Sequence, residues 1–271
     1  MLQFFYQLLS RVQVRWRFDG KRKHFPLELA VLTGVCICNY KSYMRETSNP
    51  FSDPQVVARY AEGPPRAVPG FHDMQRMTRL LLAECAPADA RILVLGAGGG
   101  LELKLFAENH PLWTFEGVDP SAEMLALARL NLGPNASRVN FHEGYIDSAS
   151  QGPFDGGGCL LTMHFFDTDM RRQALAEVHR RLKPGAPFIM THFSFEQGDA
   201  EERALWLSRY AAFLSDSGVD PASAMKASTT INERLHILTP QQDEALIRDA
   251  GFKNVSLFYA SFTYRGWVAY A

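Results

Sequence analysis

Cysteine is scarce in this chain, and the four present form no framework. Cys36, Cys38, Cys85 and Cys159 fall at spacings that suit neither a zinc site nor a set of paired disulfides. A disulfide-stapled secreted scaffold is therefore excluded, no metal centre is expected, and a reducing cytoplasm is the simplest home. A membrane-spanning run is missing as well. The apolar stretch from Leu27 to Cys38 is broken by Glu28, is too short to cross a bilayer, and lies too far into the chain for an ordinary signal peptide. Stable membrane insertion is thus not expected. Internal repeats and low-complexity tracts are also absent.

Charge of one sign is lacking overall, with 28 basic against 29 acidic side chains and a formal net charge of −1. The balance hides an asymmetry. Residues 1–43 hold seven basic and two acidic side chains, a net +5, which leaves −6 on the remainder. An acidic body lacks the charge that neutralises phosphates, so direct nucleic-acid binding is not expected. The first 43 residues have scattered aromatics and poor periodicity. They read either as a basic membrane-surface arm or, preferably, as an upstream extension of the reading frame, with Met44 the natural start and little packing onto the rest of the chain. The expected organisation is a basic extension over 1–43 and one large domain over 44–271, whose 46% hydrophobic content is ordinary for a globular protein.

What the chain does have is Arg91-Ile-Leu-Val-Leu-Gly-Ala-Gly-Gly-Gly100, followed by Gly117-Val-Asp119. The apolar residues predict a buried parallel strand, and the glycines predict a tight turn into a helix. A second strand, Trp113 to Val118, ends on a carboxylate suited to a ribose diol. Glycines let a ligand lie against the backbone, and the helix N-terminus offers free N–H groups. A nucleoside-containing cofactor is therefore expected. The dinucleotide fingerprint G-x-G-x-x-G would need a third glycine at position 101, which is Leu; Gly96, Gly98 and Gly100 instead spell G-x-G-x-G, followed by Glu102.

Further strands and helices alternate after Asp119. Ser121 is a candidate N-cap for a helix through Arg129, and Arg138 to Ile146 reads as a third strand with its exit loop. Phe154 to Thr162 reads as strand four, Asp169 to Leu182 as a helix, and Phe188 to Phe193 as strand five. Thr239-Pro-Gln-Gln242 is a capping box opening a helix that stops at Gly251. Asn254 to Ala260 and Phe262 to Tyr270 are so close that they predict a hairpin. The insertion Gly198 to Leu238 between strand five and the last helix reads as a lid, helical over Glu201 to Leu214.

The G-x-G-x-G loop resembles motif I of the class I S-adenosylmethionine-dependent methyltransferases. Asp53-Pro-Gln-Val-Val-Ala-Arg-Tyr60, Arg66-Ala-Val-Pro-Gly-Phe71, Thr162-Met-His-Phe-Phe166, Thr191-His-Phe-Ser-Phe-Glu196 and Ala250-Gly-Phe252 look like the carboxy-S-adenosylmethionine synthase group and its methyltransferase relatives. The resemblance runs from about Pro50 to the end. It implies an α/β fold with a doubly wound, mostly parallel seven-stranded sheet, one antiparallel strand near the C-terminus and a helical lid over about 198–238. It implies S-adenosylmethionine as cofactor and S-adenosylhomocysteine as product. By position it implies a cofactor site of Phe71, the loop Gly96, Ala97, Gly98 and Gly100, Asp119 with Pro120 at the ribose, and Tyr145 with Ile146 beside the adenine. The chain departs from the synthases at Tyr145 (Asp in the family), Leu160 (Asn) and Thr230, where an Arg pairs the cofactor's extra carboxylate. Losing that bidentate partner favours ordinary S-adenosylmethionine, unless Arg234, four residues on, compensates.

Methyl transfer from a sulfonium chiefly needs alignment and exclusion of water, with a base for O- or N-acceptors. His164 after strand four and His192 after strand five are the candidate catalytic residues, with satisfied core histidines as the bland reading of both. Glu196 is a candidate orienting carboxylate or a solvated acid. Trp206, Tyr210, Phe213 and Met225 either line an acceptor pocket or only pack the lid. Asp155 reads as a sheet brace. Gly156-Gly-Gly158 reads as close cofactor approach or as a strand that starts later. The expected activity is methyl transfer to a small-molecule acceptor, and a homodimer is compatible with it. Three other readings stand beside it: a carboxy-S-adenosylmethionine synthase-like enzyme linked to tRNA wobble-uridine modification, a non-catalytic cofactor-binding module, and a nicotinamide oxidoreductase.

Overall fold

The computed structural model describes residues 14–18, 21–25 and 60–271. The chain divides into two units, 1–50 and 51–271. In the first, β1 (Val14–Phe18) and β2 (Lys21–Phe25) pair antiparallel, Val14 opposite Phe25. This hairpin was not anticipated from the sequence. The boundary at Met44, the run Leu27 to Cys38 and Asp53 to Arg59 lie outside the described residues.

The second unit is built on a sheet ordered β5-β4-β3-β6-β7-β9-β8. Its strands are β3 (Arg91–Leu95), β4 (Thr114–Asp119), β5 (Val139–Glu143), β6 (Gly156–Leu160), β7 (Pro187–Phe193), β8 (Lys253–Ser261) and β9 (Tyr264–Tyr270). Strands β3 to β7 run parallel to one another, and β9 is antiparallel to both β7 and β8. A doubly wound sheet with one reversed strand is the expected fold class.

Both faces of the sheet are covered, which explains why β3 reads as a nearly unbroken apolar run. On one face Ile92, Val94, Ile189 and Val268 pack with Leu82 of α2 (Phe71–Ala83), Phe106 of α3 (Leu101–Asn109) and Ala128 of α4 (Ala122–Leu132). On the other, Leu93, Leu95, Cys159 and Trp267 pack with Leu175 of α5 (Thr168–Arg181) and Ile247 of α8 (Pro240–Asp249). A short helix, α1 (Gly63–Ala67), precedes α2.

The lid is two helices rather than the one foreseen. α6 (Ala200–Asp216) and α7 (Pro221–Arg234) each start on an aspartate N-cap, Asp199 and Asp220. They bury Leu207, Tyr210, Leu214 and Ile231 in a third cluster with Phe71, Leu160, Phe193 and Tyr264.

Strand four is shorter than expected. It ends at Leu160 because Leu161 takes φ +57°, a left-handed conformation that stops the ladder. At its other end Asp155 is the brace expected of it, accepting from Arg91 N–H at 2.9 Å and from Lys183 Nζ at 2.5 Å. Of the glycines, Gly156 makes room for helix α2: a β-carbon there would stand 2.9 Å from Leu82. Among the described residues no helix is long and apolar enough to cross a membrane, and no three metal-ligating side chains come together.

Candidate active site

The glycine loop leaves β3 and enters α3. Gly96, Gly98 and Gly100 all have positive φ, at 76°, 46° and 75°, so the alternate glycines meet a backbone requirement. The backbone N–H groups of Gly96 and Ala97 both donate to Val118 O, and Asn131 Nδ2 of α4 donates to Gly99 O at 2.8 Å. The loop is therefore fixed to β4 and α4.

Asp119 ends β4 beside this loop. Its Oδ2 accepts from Gly98 N–H at 2.9 Å and its Oδ1 from Ser121 N–H at 2.9 Å. A carboxylate offers about four acceptor positions. Two are used here, so capacity for a diol remains. Burial raises the Asp119 pKa, and the bonds from Ser121 and Gly98 oppose it. Pro120 is exposed beside it. Tyr145 and Ile146 follow β5, whose exit is tied to Asp119 by Gly144 N–H donating to Asp119 O at 3.0 Å. Ile146 is buried and Tyr145 half-buried near Phe166.

The aromatic ring against the loop is Tyr60, to which sequence reasoning gave no role. A β-carbon on Gly99 would stand 2.7 Å from Tyr60 Cδ1, and one on Gly98 3.3 Å from its Oη. Burial raises the Tyr60 pKa, and Glu102 and Asp119 raise it further. Phe71 packs instead among Leu160, Phe193 and the lid residues.

Glu102, in the first turn of α3, is 8% exposed. Burial and the Asp119 charge push it up to about 8, opposed by a bond from its own amide. Tyr60, Glu102 and Asp119 thus make an acidic cradle around a glycine loop. That donor set suits a cationic, ribose-bearing cofactor, so the residues fit the group the loop implies.

Both candidate histidines are buried. His164 sits in a 3-10 turn after β6, with Nδ1 3.4 Å from Phe193 N–H and its backbone carbonyl accepting from His236 N–H. His192 is 0% exposed, and neither of its ring nitrogens has a hydrogen-bond partner. Its Nε2 is 3.6 Å from Asp243 Oδ1, and Arg171 Nη1 donates to the same oxygen at 2.5 Å. Burial lowers both histidines well below the usual imidazole value; the next cause is His192 for His164 and Arg171 for His192. This Arg171–Asp243–His192 cluster lies under the sheet tips and was not visible in the sequence.

Glu196 follows β7 half-buried, accepting from Gln241 Nε2 at 3.2 Å. Of the lid residues, only Tyr210 is brought to a strand tip, edge-on to Phe193 at 5.3 Å. Met225 faces solvent, and Trp206 is half-buried against the lid cluster, under the guanidinium of Arg209 at 4.6 Å. Thr230 is exposed and turns its hydroxyl back to Lys226 O.

A methyltransferase-domain family profile matches residues 92–185, from the first strand of the sheet to the turn before β7. The chain is 26% identical over 222 residues to a carboxy-S-adenosyl-L-methionine synthase of Chromohalobacter salexigens, covering 80% of this chain and 82% of that one. A synthase of the same name from Campylobacter lari is 23% identical over 219 residues, covering 80% and 93%. Residues 92–185 thus match a methyltransferase domain, and together with these relatives they support a class I S-adenosylmethionine-dependent methyltransferase. The methyltransferase fold recurs in solved structures. A putative O-methyltransferase from Nostoc punctiforme superposes with a TM-score of 0.58 at 20% identity over 80% of this chain, which spans 59% of that protein's length. An amino pentose methyltransferase from Micromonospora echinaspora, solved with S-adenosylmethionine, gives 0.52 at 20% identity, covering 73% and 90%.

Proposed function

We propose that this methyltransferase moves a methyl group from S-adenosylmethionine to a small-molecule acceptor held between the tips of β6 and β7 and the lid. The observation that carries this reading is the Asp119 carboxylate, anchored on Gly98 with acceptor capacity to spare at the mouth of a glycine turn. The cofactor supplies a methyl group on a good leaving group. Gly96, Ala97, Gly98 and Gly100 form the wall for its methionyl part, Asp119 with Pro120 holds the ribose, and Tyr145 with Ile146 flanks the adenine. Tyr60 closes the loop side, and Phe71, a member of the lid cluster, closes the lid side.

Of the two histidines, His164 contacts the acceptor side and His192 braces the sheet. Because His164 Nδ1 accepts from Phe193 N–H, its neutral ring carries the proton on Nε2. That leaves a donor which orients an acceptor oxygen, not a base. Transfer then depends mostly on alignment and on the lid excluding water. The test is isothermal titration with S-adenosylmethionine, S-adenosylhomocysteine and NAD, followed by an acceptor panel with labelled cofactor. Binding of NAD with neither adenosyl ligand would overturn the assignment.

A second reading, a carboxy-S-adenosylmethionine synthase-like enzyme, is favoured by the names of the relatives. Thr230 in place of the carboxylate-pairing arginine counts against it. Mass spectrometry of ligand retained through purification separates the two, since a carboxylated cofactor would appear only in the second.

A further inference from the structure

A cleft of about 280 Å³ opens between lid helix α6 and the C-terminal hairpin. Trp206 and Arg209 line it from α6, Ala260 and Ser261 from β8, Phe262 from the turn and Arg265 from β9. This lining holds two arginines and no acid. The two guanidinium groups converge on one indole: Arg209 Cζ lies 4.6 Å and Arg265 Cζ 5.8 Å from the centroid of the Trp206 ring. A guanidinium on an aromatic face keeps its N–H edge for a planar oxyanion. Arg265 is also fixed in place, because its Nη1 donates to Phe262 O and to Tyr264 O, each at 2.7 Å. Its Nη2 and Nε lie outside those bonds. Phe262 takes φ +44° and is 43% exposed, so the turn presents a large ring to the cleft instead of to the core. Glu196, after β7, is the carboxylate whose field reaches Arg265. Two cations in the lining against that one acid leave a single positive charge to be matched.

We propose that this cleft binds a small organic monocarboxylate with an aromatic body: the carboxylate bridges Arg209 and Arg265, and the ring lies against Trp206 and Phe262. The charge count favours a monoanion over a phosphate dianion, and the apolar wall favours a ring over a bare inorganic ion. The volume stands at the small end of ligand pockets, which suits one ring on a short acid arm. Because Arg209 belongs to the lid and Arg265 to the sheet, such a ligand fastens α6 to the hairpin. The cleft shares no residue with the glycine-loop site, so the proposal stands apart from the cofactor reading.

The experiment is an NMR titration of the full chain that follows the indole N–H signal of Trp206. Three probes are compared: phenylacetate, its uncharged isostere phenylacetamide, and inorganic phosphate. Phenylacetate should shift the signal and bind about tenfold or more tighter than phenylacetamide, which lacks the charge that strengthens hydrogen bonds to guanidinium. It should also bind more tightly than phosphate, which has no ring to place on Trp206. Arg209 is exposed, so Arg209→Gln should leave the melting temperature unchanged while weakening phenylacetate about tenfold. Arg265→Gln should weaken it at least as much, but it also removes the bonds that hold the hairpin turn, so Arg209→Gln is the deciding variant. Equal affinity for phenylacetate and phenylacetamide overturns the proposal, as does phosphate binding as tightly as phenylacetate. Unchanged phenylacetate affinity in Arg209→Gln, or a Trp206 signal that phenylacetate does not move, overturns it too.

Discussion

The Asp119 carboxylate accepts the backbone N–H of Gly98 across 2.9 Å, tying the tip of β4 to the turn after β3. One side chain thus holds the loop in shape and keeps acceptor capacity for a ligand. Asp119→Ala removes both functions. Loss of the hydrogen bonds should weaken S-adenosylmethionine binding by about 1–3 kcal/mol, roughly five- to 150-fold. Titration calorimetry reads this directly, and affinity within twofold of the parent would remove Asp119 from the site.

Neighbouring glycines in the loop should fail differently. Gly98→Val puts a branched side chain at φ +46°, 3.3 Å from the Tyr60 hydroxyl, on the ligand side of the turn. Gly100→Ala, at φ +75°, meets the Ala128 backbone of α4 at 3.0 Å. The first should abolish cofactor binding with a moderate loss of melting temperature. The second should mainly cost stability, on the order of 1–3 kcal/mol of strain. Equal effects of the two on binding and on unfolding would mean that the loop has no distinct ligand face.

Arg171 and Asp243 lie 72 positions apart, and both side chains are fully buried. Arg171 Nη2 also donates to His236 O at 2.6 Å, so the pair fastens α5 and α8 to the segment that returns from the lid. Arg171→Met leaves Asp243 without its cation, and the expected loss is about 3–5 kcal/mol in urea unfolding. Adding Asp243→Leu should recover much of it, since two apolar side chains replace an ion pair without leaving a charge unpaired. A single-variant loss below about 1 kcal/mol would show that Asp243 escapes by protonation, toward which burial already drives it, to a pKa of about 6.

Strand β3, its glycine turn and the acid ending β4 were legible because their signals are local: an apolar run, alternate glycines and a carboxylate at fixed spacing. The Thr239–Gln242 capping box was legible for the same reason and is formed in full. Helix α7 was missed although Asp220 and Pro221 spell an N-cap and a first-turn proline, a start signal hidden inside an insertion read as one helix. The early end of β6 was not legible, since nothing in a leucine announces φ +57°. Tyr60 lies within a stretch noted for its resemblance, but that its ring covers Gly98 and Gly99 depends on tertiary packing. The outward reading of His192 failed for a related reason. Strand alternation turns it under the sheet toward Trp267 and Asp243, partners supplied by far later sequence.

The stability of the ligand-free protein should depend on pH through Glu102, in the first turn of α3. Glu102 is held at about 8 in the fold against roughly 4.3 in an unfolded chain. A carboxyl whose pKa is raised by folding stabilises the fold fully below its unfolded value, and that contribution is lost as pH rises through the folded one. Asp243 acts in the same direction, over a window that closes at about 6. His164 and His192, lowered by burial, act oppositely below roughly 6.5, where the unfolded chain binds protons that they refuse. Between pH 6.5 and 8 only Glu102 of these four is titrating in the fold. The melting temperature of the ligand-free protein should therefore fall across that interval, and Glu102→Gln should flatten the slope. Parallel profiles for the parent and Glu102→Gln would mean that the carboxyl reaches solvent in solution.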